Sequence, residues 1–378
     1  MVERLLLIPG PTNLSKRVRD VMARPQLPHV GPEFYSMFKE TVSLARYVFK
    51  NGKGTQFVFT GTGTTGMESS VVSLVSHGDR TLVLSTGYFG HRMHMINQIH
   101  GASADQLEFK GGKAADPDAL RKQLRKAKYT VAFITHVDTS SSVANPIADL
   151  VDECSKAGVL SVVDSVCGVG GVPLDFDRLG ADIAFTASQK ALAGPPGAVL
   201  IAASPRAIEH MEKRKDPIES YYMNLLRWQP IMDDPKMYLS TPATQILLAL
   251  REAMLEVKEE GIENRWVRNG RLGGIVRNKV SGWGQKFVAE KGHQADTVTS
   301  FWVENGKAGP IQRSLEEKHN VMVARGVYDD RDRMIRIGHF GILTPELLER
   351  SMDKMGDVMG GLGLLPKQVI AAKRRSRN

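Results

Sequence analysis

Cysteine is scarce in this chain of 378 residues, which contains only Cys154 and Cys167. Two cysteines support neither a disulfide framework nor a cysteine-based metal site, and they suit a reducing compartment. No apolar run approaches the roughly 20 residues that cross a bilayer. The short apolar run Leu5–Ile8 lacks the basic start and the length of a secretory signal. We therefore expect a cytoplasmic protein without a metal or a membrane partner.

Negative charge is the smaller share: 41 acidic residues stand against 50 Lys and Arg, which gives a net charge of +9. Four of the positive charges lie in a basic tail, at Lys373, Arg374, Arg375 and Arg377. The rest of the chain therefore carries a net charge of 9 − 4 = +5. Neither aromatic–basic interleaving nor zinc-finger spacing accompanies this tail. We expect no nucleic-acid partner, and a basic enzyme would instead attract anionic small molecules.

Short apolar runs rich in β-branched residues alternate with helical patterns between residues 55 and 203. Because these runs are continuous rather than alternating, they predict buried strands of a mainly parallel sheet that helices cover on both faces, an α/β fold. Ligands of such sheets bind at the carboxyl ends of the strands. The predicted strands are Gln56–Thr60, Thr81–Ser85, Thr130–Thr135, Leu160–Asp164, Ile183–Ala187 and Ala198–Ala202.

The pattern changes near residue 260. Before this point, Thr241–Gly261 reads as one helix with Ser or Thr at its cap and Pro242 just inside its start. Beyond it, helical and strand-like runs mix: Arg265–Val280, Thr297–Val303, Met334–Ile337 and Pro345–Met359. We predict an N-terminal segment (1–15), a large domain (16–260) and a small α+β C-terminal domain (261–378) that ends in the basic tail.

A glycine- and threonine-rich segment, Thr60–Gly66, follows a predicted strand and precedes a predicted helix at about Met67–Val75. Unpaired N–H groups and the positive end of the helix dipole make such a helix start an anion site. The segment has neither the Lys of a Walker A loop nor the dinucleotide fingerprint. It suits a phosphate group, although an ordinary strand–helix turn has the same composition.

Two ionisable residues follow neighbouring predicted strands. Asp164 ends an apolar run, where a buried carboxylate is costly unless it is paired. It could either cap the following turn or face a cationic ligand. Lys190 lies in a segment that is otherwise small and apolar, and partial burial there would lower its pKa and make it a Schiff-base nucleophile. Taken alone, this lysine would be better explained as a surface residue in a loop. Together with a phosphate site, the two supply what pyridoxal 5'-phosphate requires.

Several ordered motifs resemble class V, fold-type I aminotransferases of the alanine–glyoxylate and serine–glyoxylate group. They are Asp164–Val166, Ser188–Lys190 and Gly194–Gly197, and the likeness extends from Pro9–Asn13 to Ile335–Gly338. The resemblance implies a mainly parallel seven-stranded sheet, pyridoxal 5'-phosphate as the cofactor and a homodimer with shared active sites. It implies an enzyme that moves an amino group from a small amino acid, of alanine or serine type, to a 2-oxo acid such as glyoxylate or pyruvate.

The same resemblance implies a role for each matching residue. Lys190 would carry the cofactor as a Schiff base and Asp164 would hold the proton on its pyridine nitrogen. Arg336 would bind the substrate α-carboxylate, unless an acidic residue of the small domain pairs with it. The other implied contacts are with the phosphate (Thr62, Gly63, Thr64, Gln189), with the two ring faces (Tyr88 and Val166), with the phenolic oxygen (Thr139) and with the neighbouring subunit's phosphate (Tyr238, Thr241).

Other reactions on the same scaffold remain as alternatives, namely transamination of aminoethylphosphonate or pyridoxamine, a lyase, or a cysteine desulfurase. A desulfurase needs a mobile reactive cysteine. Cys154 lies in a helical stretch and Cys167 directly follows the turn after Asp164, so both are expected to be structural. Aminoethylphosphonate lacks an α-carboxylate, and Arg336 would then bind a phosphonate. The histidine at position 339 leaves the chemical character of the adjoining pocket wall undecided.

Overall fold

The computed structural model describes residues 4–366, so the basic tail lies outside the described part of the chain. The strands in chain order are β1 (Leu5–Leu7), β2 (Thr55–Thr60), β3 (Arg80–Ser85), β4 (Ser103–Glu108), β5 (Val131–Thr135), β6 (Val137–Asp138), β7 (Val143–Ala144), β8 (Leu160–Asp164), β9 (Ile183–Ala187), β10 (Ala198–Ala203), β11 (Val298–Trp302), β12 (Val321–Arg325) and β13 (Met334–Gly338).

Helices alternate with most of these strands. They are α1 (Lys16–Met22), α2 (Pro32–Phe49), α3 (Gly63–Leu74), α4 (Tyr88–Ile99), α5 (Pro117–Leu124), α6 (Ile147–Lys156), α7 (Phe176–Leu179), α8 (Pro205–Glu212), α9 (Leu225–Asp233), α10 (Thr244–Glu260), α11 (Ile262–Gly282), α12 (Ala308–His319) and α13 (Pro345–Gly361). None of the described helices is long and apolar enough to cross a membrane.

The central sheet has seven strands in the order β2-β10-β9-β8-β5-β3-β4. Only β10 runs antiparallel to its neighbours, so the predicted mainly parallel sheet is confirmed. Every residue of β5, β8, β9 and β10 is buried, as continuous apolar runs require. The sequence did not predict β4, because this edge strand is half-exposed and has no continuous apolar run.

A second sheet, in the order β1-β12-β13-β11, has its own apolar core with α11, α12 and α13. The N-terminal strand β1 pairs with β12 in this sheet, although more than 300 residues separate them along the chain. The segment that follows β1 therefore runs from the small sheet towards the large one. The predicted domain boundary falls at Gly261, which ends α10 with φ = 83°.

Helix α10 begins later than the sequence predicts. Its N-cap is Ala243 rather than a Ser or Thr, and the N–H of Ala243 donates to the Thr60 hydroxyl, 2.9 Å away. The hydroxyl of Thr241 instead lies 2.9 Å from that of Tyr238. The alternative reading of Thr241 as a plain helix cap was wrong, because the contact with the end of β2 holds the chain out of the helix until residue 244.

Candidate active site

The predicted site residues meet at one edge of the central sheet. Strands β2, β5, β8 and β9 all end at this edge, and a cavity of about 160 Å³ lies above their ends. We call it the sheet cavity. It is lined by Thr62, Gly63, Thr64, Met67, Phe89, Arg92, Thr135, Val137, Thr139, Asp164, Val166, Cys167, Gln189 and Lys190. Eight of the predicted site residues are therefore in one place: Thr62, Gly63, Thr64, Thr139, Asp164, Val166, Gln189 and Lys190.

The start of α3 forms one wall of the sheet cavity. Thr62 is its N-cap, and a Cβ on Gly63 would lie 3.0 Å from the Val166 side chain, so glycine allows this close approach. The free N–H groups of a helix start attract anions. Gln189 also lines the cavity, and its buried Oε1 has no hydrogen-bond partner among the described residues. This wall can hold a phosphate group.

Asp164, the last residue of β8, presents a buried carboxyl to the cavity. Its Oδ1 accepts one hydrogen bond, from the Val166 N–H at 3.1 Å. Burial raises the pKa of Asp164 to about 7, and the nearby Asp138 acts in the same direction. A cationic group of a ligand in the cavity would restore the ionised form.

Lys190 reaches the cavity from the turn after β9, and its side chain is largely buried. Burial lowers the pKa of its amine. The amine donates a hydrogen bond to the main-chain carbonyl of Pro9, a neutral acceptor that does not hold the proton as a carboxylate would. An amine with a lowered pKa can act as a nucleophile towards an aldehyde.

The structure does not place Tyr88 in the sheet cavity; its neighbour Phe89 lines that cavity instead. Both residues begin α4, where successive side chains point about 100° apart, so only one of the two can face the strand ends. The hydroxyl of Tyr88 accepts from Arg92 at 3.1 Å and from Tyr328 at 3.0 Å, and these bonds lower the pKa of Tyr88. The geometry therefore favours Phe89 as the aromatic wall and corrects the prediction for Tyr88.

A larger cavity of about 500 Å³ adjoins the sheet cavity, and both are lined by Phe89, Arg92, Thr139 and Lys190. We call it the arginine cavity. Arg336, in β13, lines it and donates to the carbonyl oxygens of Arg325 (2.7 Å) and Thr139 (3.1 Å). No carboxylate of the described residues pairs with Arg336, so the alternative of a partner acid in the small domain was wrong. Its guanidinium remains able to bind a carboxylate.

Sequence reasoning missed Arg92, although it lines both cavities. Arg92 donates to the Thr64 hydroxyl at 3.2 Å and covers the rings of Tyr88 and Phe89, 4.8 and 5.0 Å from their centroids. Its position, one helical turn after the aromatic pair, was the available signal. Cys167 also lines the sheet cavity, but burial raises the pKa of its thiol, which disfavours the reactive thiolate of a desulfurase. Cys154 is likewise buried.

Three further residues lie away from both cavities. Tyr238 is 65% exposed and, with the neighbouring Thr241, lies apart from the sheet cavity of its own chain. His339 is buried against the Thr299 hydroxyl at 2.9 Å, and burial lowers its pKa to about 3, so it is a neutral part of the core. Among the described residues, no group of acidic, His and Cys side chains could hold a metal ion.

Comparison with known proteins identifies the family to which this chain belongs. The family model for aminotransferase class V matches residues 13–328. The chain is 30% identical to alanine–glyoxylate aminotransferase 1 of Saccharomyces cerevisiae, over 89% of this chain and 92% of that protein. It is 29% identical to the L-aspartate–glyoxylate aminotransferase of Paracoccus denitrificans, over 98% of this chain and 96% of that protein. The crystal structure of an alanine–glyoxylate aminotransferase from Nostoc superposes with a TM-score of 0.91 at 28% identity, covering 95% and 96% of the two chains.

Proposed function

The chain belongs to the class V aminotransferase family, and from this membership we propose that it transfers the amino group of a small amino acid, of alanine or serine type, to a 2-oxo acid such as glyoxylate or pyruvate. Enzymes of this family generally depend on pyridoxal 5'-phosphate. Relatives with similar sequences act on alanine, aspartate and glyoxylate, as their names state. This supports an amino acid and a 2-oxo acid as the two substrates.

The observation that carries the proposal is the juxtaposition of Asp164 and Lys190 in one buried cavity, beside the start of α3. A carboxyl whose pKa is raised by burial suits a cationic pyridine ring, and a buried amine with a lowered pKa suits an aldehyde. The unpartnered Oε1 of Gln189 is a further polar group that a ligand could engage. These features fit pyridoxal 5'-phosphate.

When bound, the cofactor supplies an electron-poor ring that takes up the electrons released at the substrate Cα. We propose that Lys190 would hold the cofactor through its aldehyde and that its free amine would accept the proton released at the substrate Cα. Asp164 holds the proton on the pyridine nitrogen. The helix-start residues Thr62, Gly63 and Thr64, with Gln189, bind the phosphate group.

The remaining residues orient the ring and the substrate. Phe89 and Val166 line the same cavity, and we assign them the two faces of the ring. To Thr139, which lines both cavities, we assign the contact with the phenolic oxygen. Arg336, whose guanidinium has no carboxylate partner among the described residues, binds the substrate α-carboxylate, because its planar fork matches a carboxylate.

We further propose that the active unit is a homodimer in which each site draws on both chains. Tyr238 and Thr241 lie apart from the sheet cavity of their own chain, and their hydroxyls lie 2.9 Å from each other. In a symmetric dimer such an exposed pair can reach the partner's site, and the exchange is reciprocal. The pair would then bind the phosphate of the neighbouring subunit.

Borohydride reduction of the protein with pyridoxal 5'-phosphate tests the proposal. We expect the label on Lys190 after peptide mapping, and turnover of L-alanine with glyoxylate that is detected as pyruvate. Lys190→Ala should fold, bind the cofactor without a covalent link and give no turnover. A label on another lysine, or normal turnover by Lys190→Ala, would refute the assignment.

A further inference from the structure

The arginine cavity carries far more positive charge than one α-carboxylate needs. Its lining includes four arginines besides Lys190: Arg92, Arg325, Arg331 and Arg336. No Asp or Glu is among the described residues that line it. Its volume, about 500 Å³, lies within the roughly 300–1,000 Å³ of ligand pockets in general. A cavity of this size and charge suits an anion that extends beyond the group held by Arg336.

Three of these arginines come from one hairpin, formed by β12, the loop 326–333 and β13. Ala324 of β12 is the register partner of Arg336 in β13, so Arg325 and Arg336 lie on adjacent strands. Arg331 comes from the loop between these strands. The hairpin therefore contributes three arginines to the lining of the same cavity that Lys190 lines.

Arg331 has no ionic partner in the described part of the chain, although acidic residues flank it. Asp332 pairs with Arg325 at 2.9 Å, and Asp330 pairs with Arg333 at 2.7 Å. Each of these two carboxylates is thus engaged by a different arginine. Arg331 lines the cavity, and its guanidinium remains available for a ligand.

The loop has a conformation that costs energy. Tyr328 adopts φ = 46°, which is uncommon for a bulky residue, and its hydroxyl donates to that of Tyr88 at 3.0 Å. A Cβ on Gly326 would lie 2.3 Å from the Asp330 carbonyl oxygen, so the tight turn requires glycine. Backbone strain of this kind clusters at active sites, at ligand-binding loops and in switch regions. Arg331 lies in the same loop and lines the cavity.

We propose that the arginine cavity binds a second carboxylate of the substrate through Arg331, so that dicarboxylic amino acids are accepted besides those of alanine or serine type and react faster than their neutral amides. This inference rests on the proposed transaminase function and names its substrate class. Arg336 binds the α-carboxylate next to Lys190, and Arg331 binds the distal carboxylate. Arg325 adds positive charge beside it but is held by Asp332.

An unreactive dicarboxylate tests the second anion site without turnover. Calorimetry on the cofactor-loaded protein compares succinate with butyrate, which has the same number of carbon atoms and one carboxylate. We expect succinate to bind at least about tenfold more tightly, the effect of one charge-assisted pair. Arg331→Gln should abolish this difference. The matched control Arg350→Gln, which removes an exposed arginine of α13 that does not line the cavity, should retain it. Equal binding by the wild type, or a difference that survives Arg331→Gln, would overturn the proposal.

Half-reactions followed by the cofactor spectrum separate this inference from the proposed function. We expect L-aspartate or L-glutamate to react at least about tenfold faster at low concentration than its neutral amide, L-asparagine or L-glutamine. O-phospho-L-serine against L-serine tests a distal phosphate, and a preference confined to that pair would overturn the carboxylate assignment. If L-alanine reacts but the acid–amide pairs do not differ, the inference alone fails. If no amino acid reacts, the proposed function fails.

Discussion

The amine of Lys190 donates a hydrogen bond to the carbonyl oxygen of Pro9, although 181 residues separate the two along the chain. The next residue, Gly10, packs so closely that a Cβ there would lie 2.7 Å from Cδ of Lys190. The segment after β1 therefore forms the wall that positions the lysine side chain. A neutral acceptor fixes the amine and favours its charged form less than a carboxylate would.

We expect Gly10→Ala to impair attachment of the cofactor to Lys190. The added methyl group must displace the lysine side chain, at a cost on the order of 1–3 kcal/mol. The fraction of protein labelled by borohydride at limiting pyridoxal 5'-phosphate should fall about tenfold.

Gly31→Ala is the matched control, because Gly31 has a similar φ of 103° but no atom within 4 Å of an added Cβ. Both variants should lose stability through backbone strain, on the order of 1–3 kcal/mol. Only Gly10→Ala should lose labelling. Equal labelling of the two variants would show that Gly10 does not position Lys190.

Asp164 should make the stability of the cofactor-free protein depend on pH. Burial raises its folded-state pKa from 3.8 to about 7, so between these values the folded protein holds a proton that the unfolded chain has released. Stability from this group is therefore present at low pH and decreases as pH rises from about 4 to 7. Each pKa unit corresponds to about 1.4 kcal/mol.

Asp164→Asn removes this titration and is nearly isosteric. We expect the cofactor-free variant to match the wild type near pH 4 and to exceed its stability at pH 8 by a few kcal/mol in denaturant titrations. With the cofactor, the same variant should lose most of its turnover. Parallel stability profiles, or near-normal turnover, would show that Asp164 only caps the turn.

Replacing Phe89 and replacing Tyr88 should change cofactor affinity by different amounts. Phe89→Leu removes the ring that lines the sheet cavity and should weaken cofactor binding by about 1 kcal/mol or more. Tyr88→Leu removes a ring that lines only the arginine cavity and should weaken it less. Equilibrium dialysis of pyridoxal 5'-phosphate measures both. A greater loss for Tyr88→Leu would restore Tyr88 as the stacking residue.

Mixed dimers test whether the two chains share their sites. One chain carries Lys190→Ala, and the other carries Tyr238→Ala with Thr241→Val. Each homodimer should be poorly active at limiting cofactor. A heterodimer has one site with an intact Lys190 from one chain and an intact Tyr238–Thr241 pair from the other, so it should recover about half of the wild-type activity. Differently tagged chains, co-expressed and purified through both tags, provide the sample. Isolated heterodimers without activity, or an active native monomer, would rule out the shared site.

The sequence determined those features that depend on local pattern. Continuous apolar runs predicted six strands of the central sheet, and β8 and β9 have the predicted bounds, because burial on both faces demands apolar side chains at successive positions. Asp164 ends β8 and Lys190 follows β9 by three residues, so the predicted strands also predicted that the two residues lie close together. The half-exposed edge strand β4 left no such pattern and was missed.

Only the tertiary structure decided the contacts between distant segments and the direction of individual side chains. The position of Pro9 beside Lys190 depends on β1 joining the second sheet, which no local pattern indicates. Phe89 rather than Tyr88 faces the strand ends because the docking of α4 fixes its rotation. Arg331 is available to a ligand because Asp330 and Asp332 pair with other arginines. Which arginine each carboxylate pairs with depends on the distances between side chains in the folded chain, so it follows from the fold and not from the order of the residues.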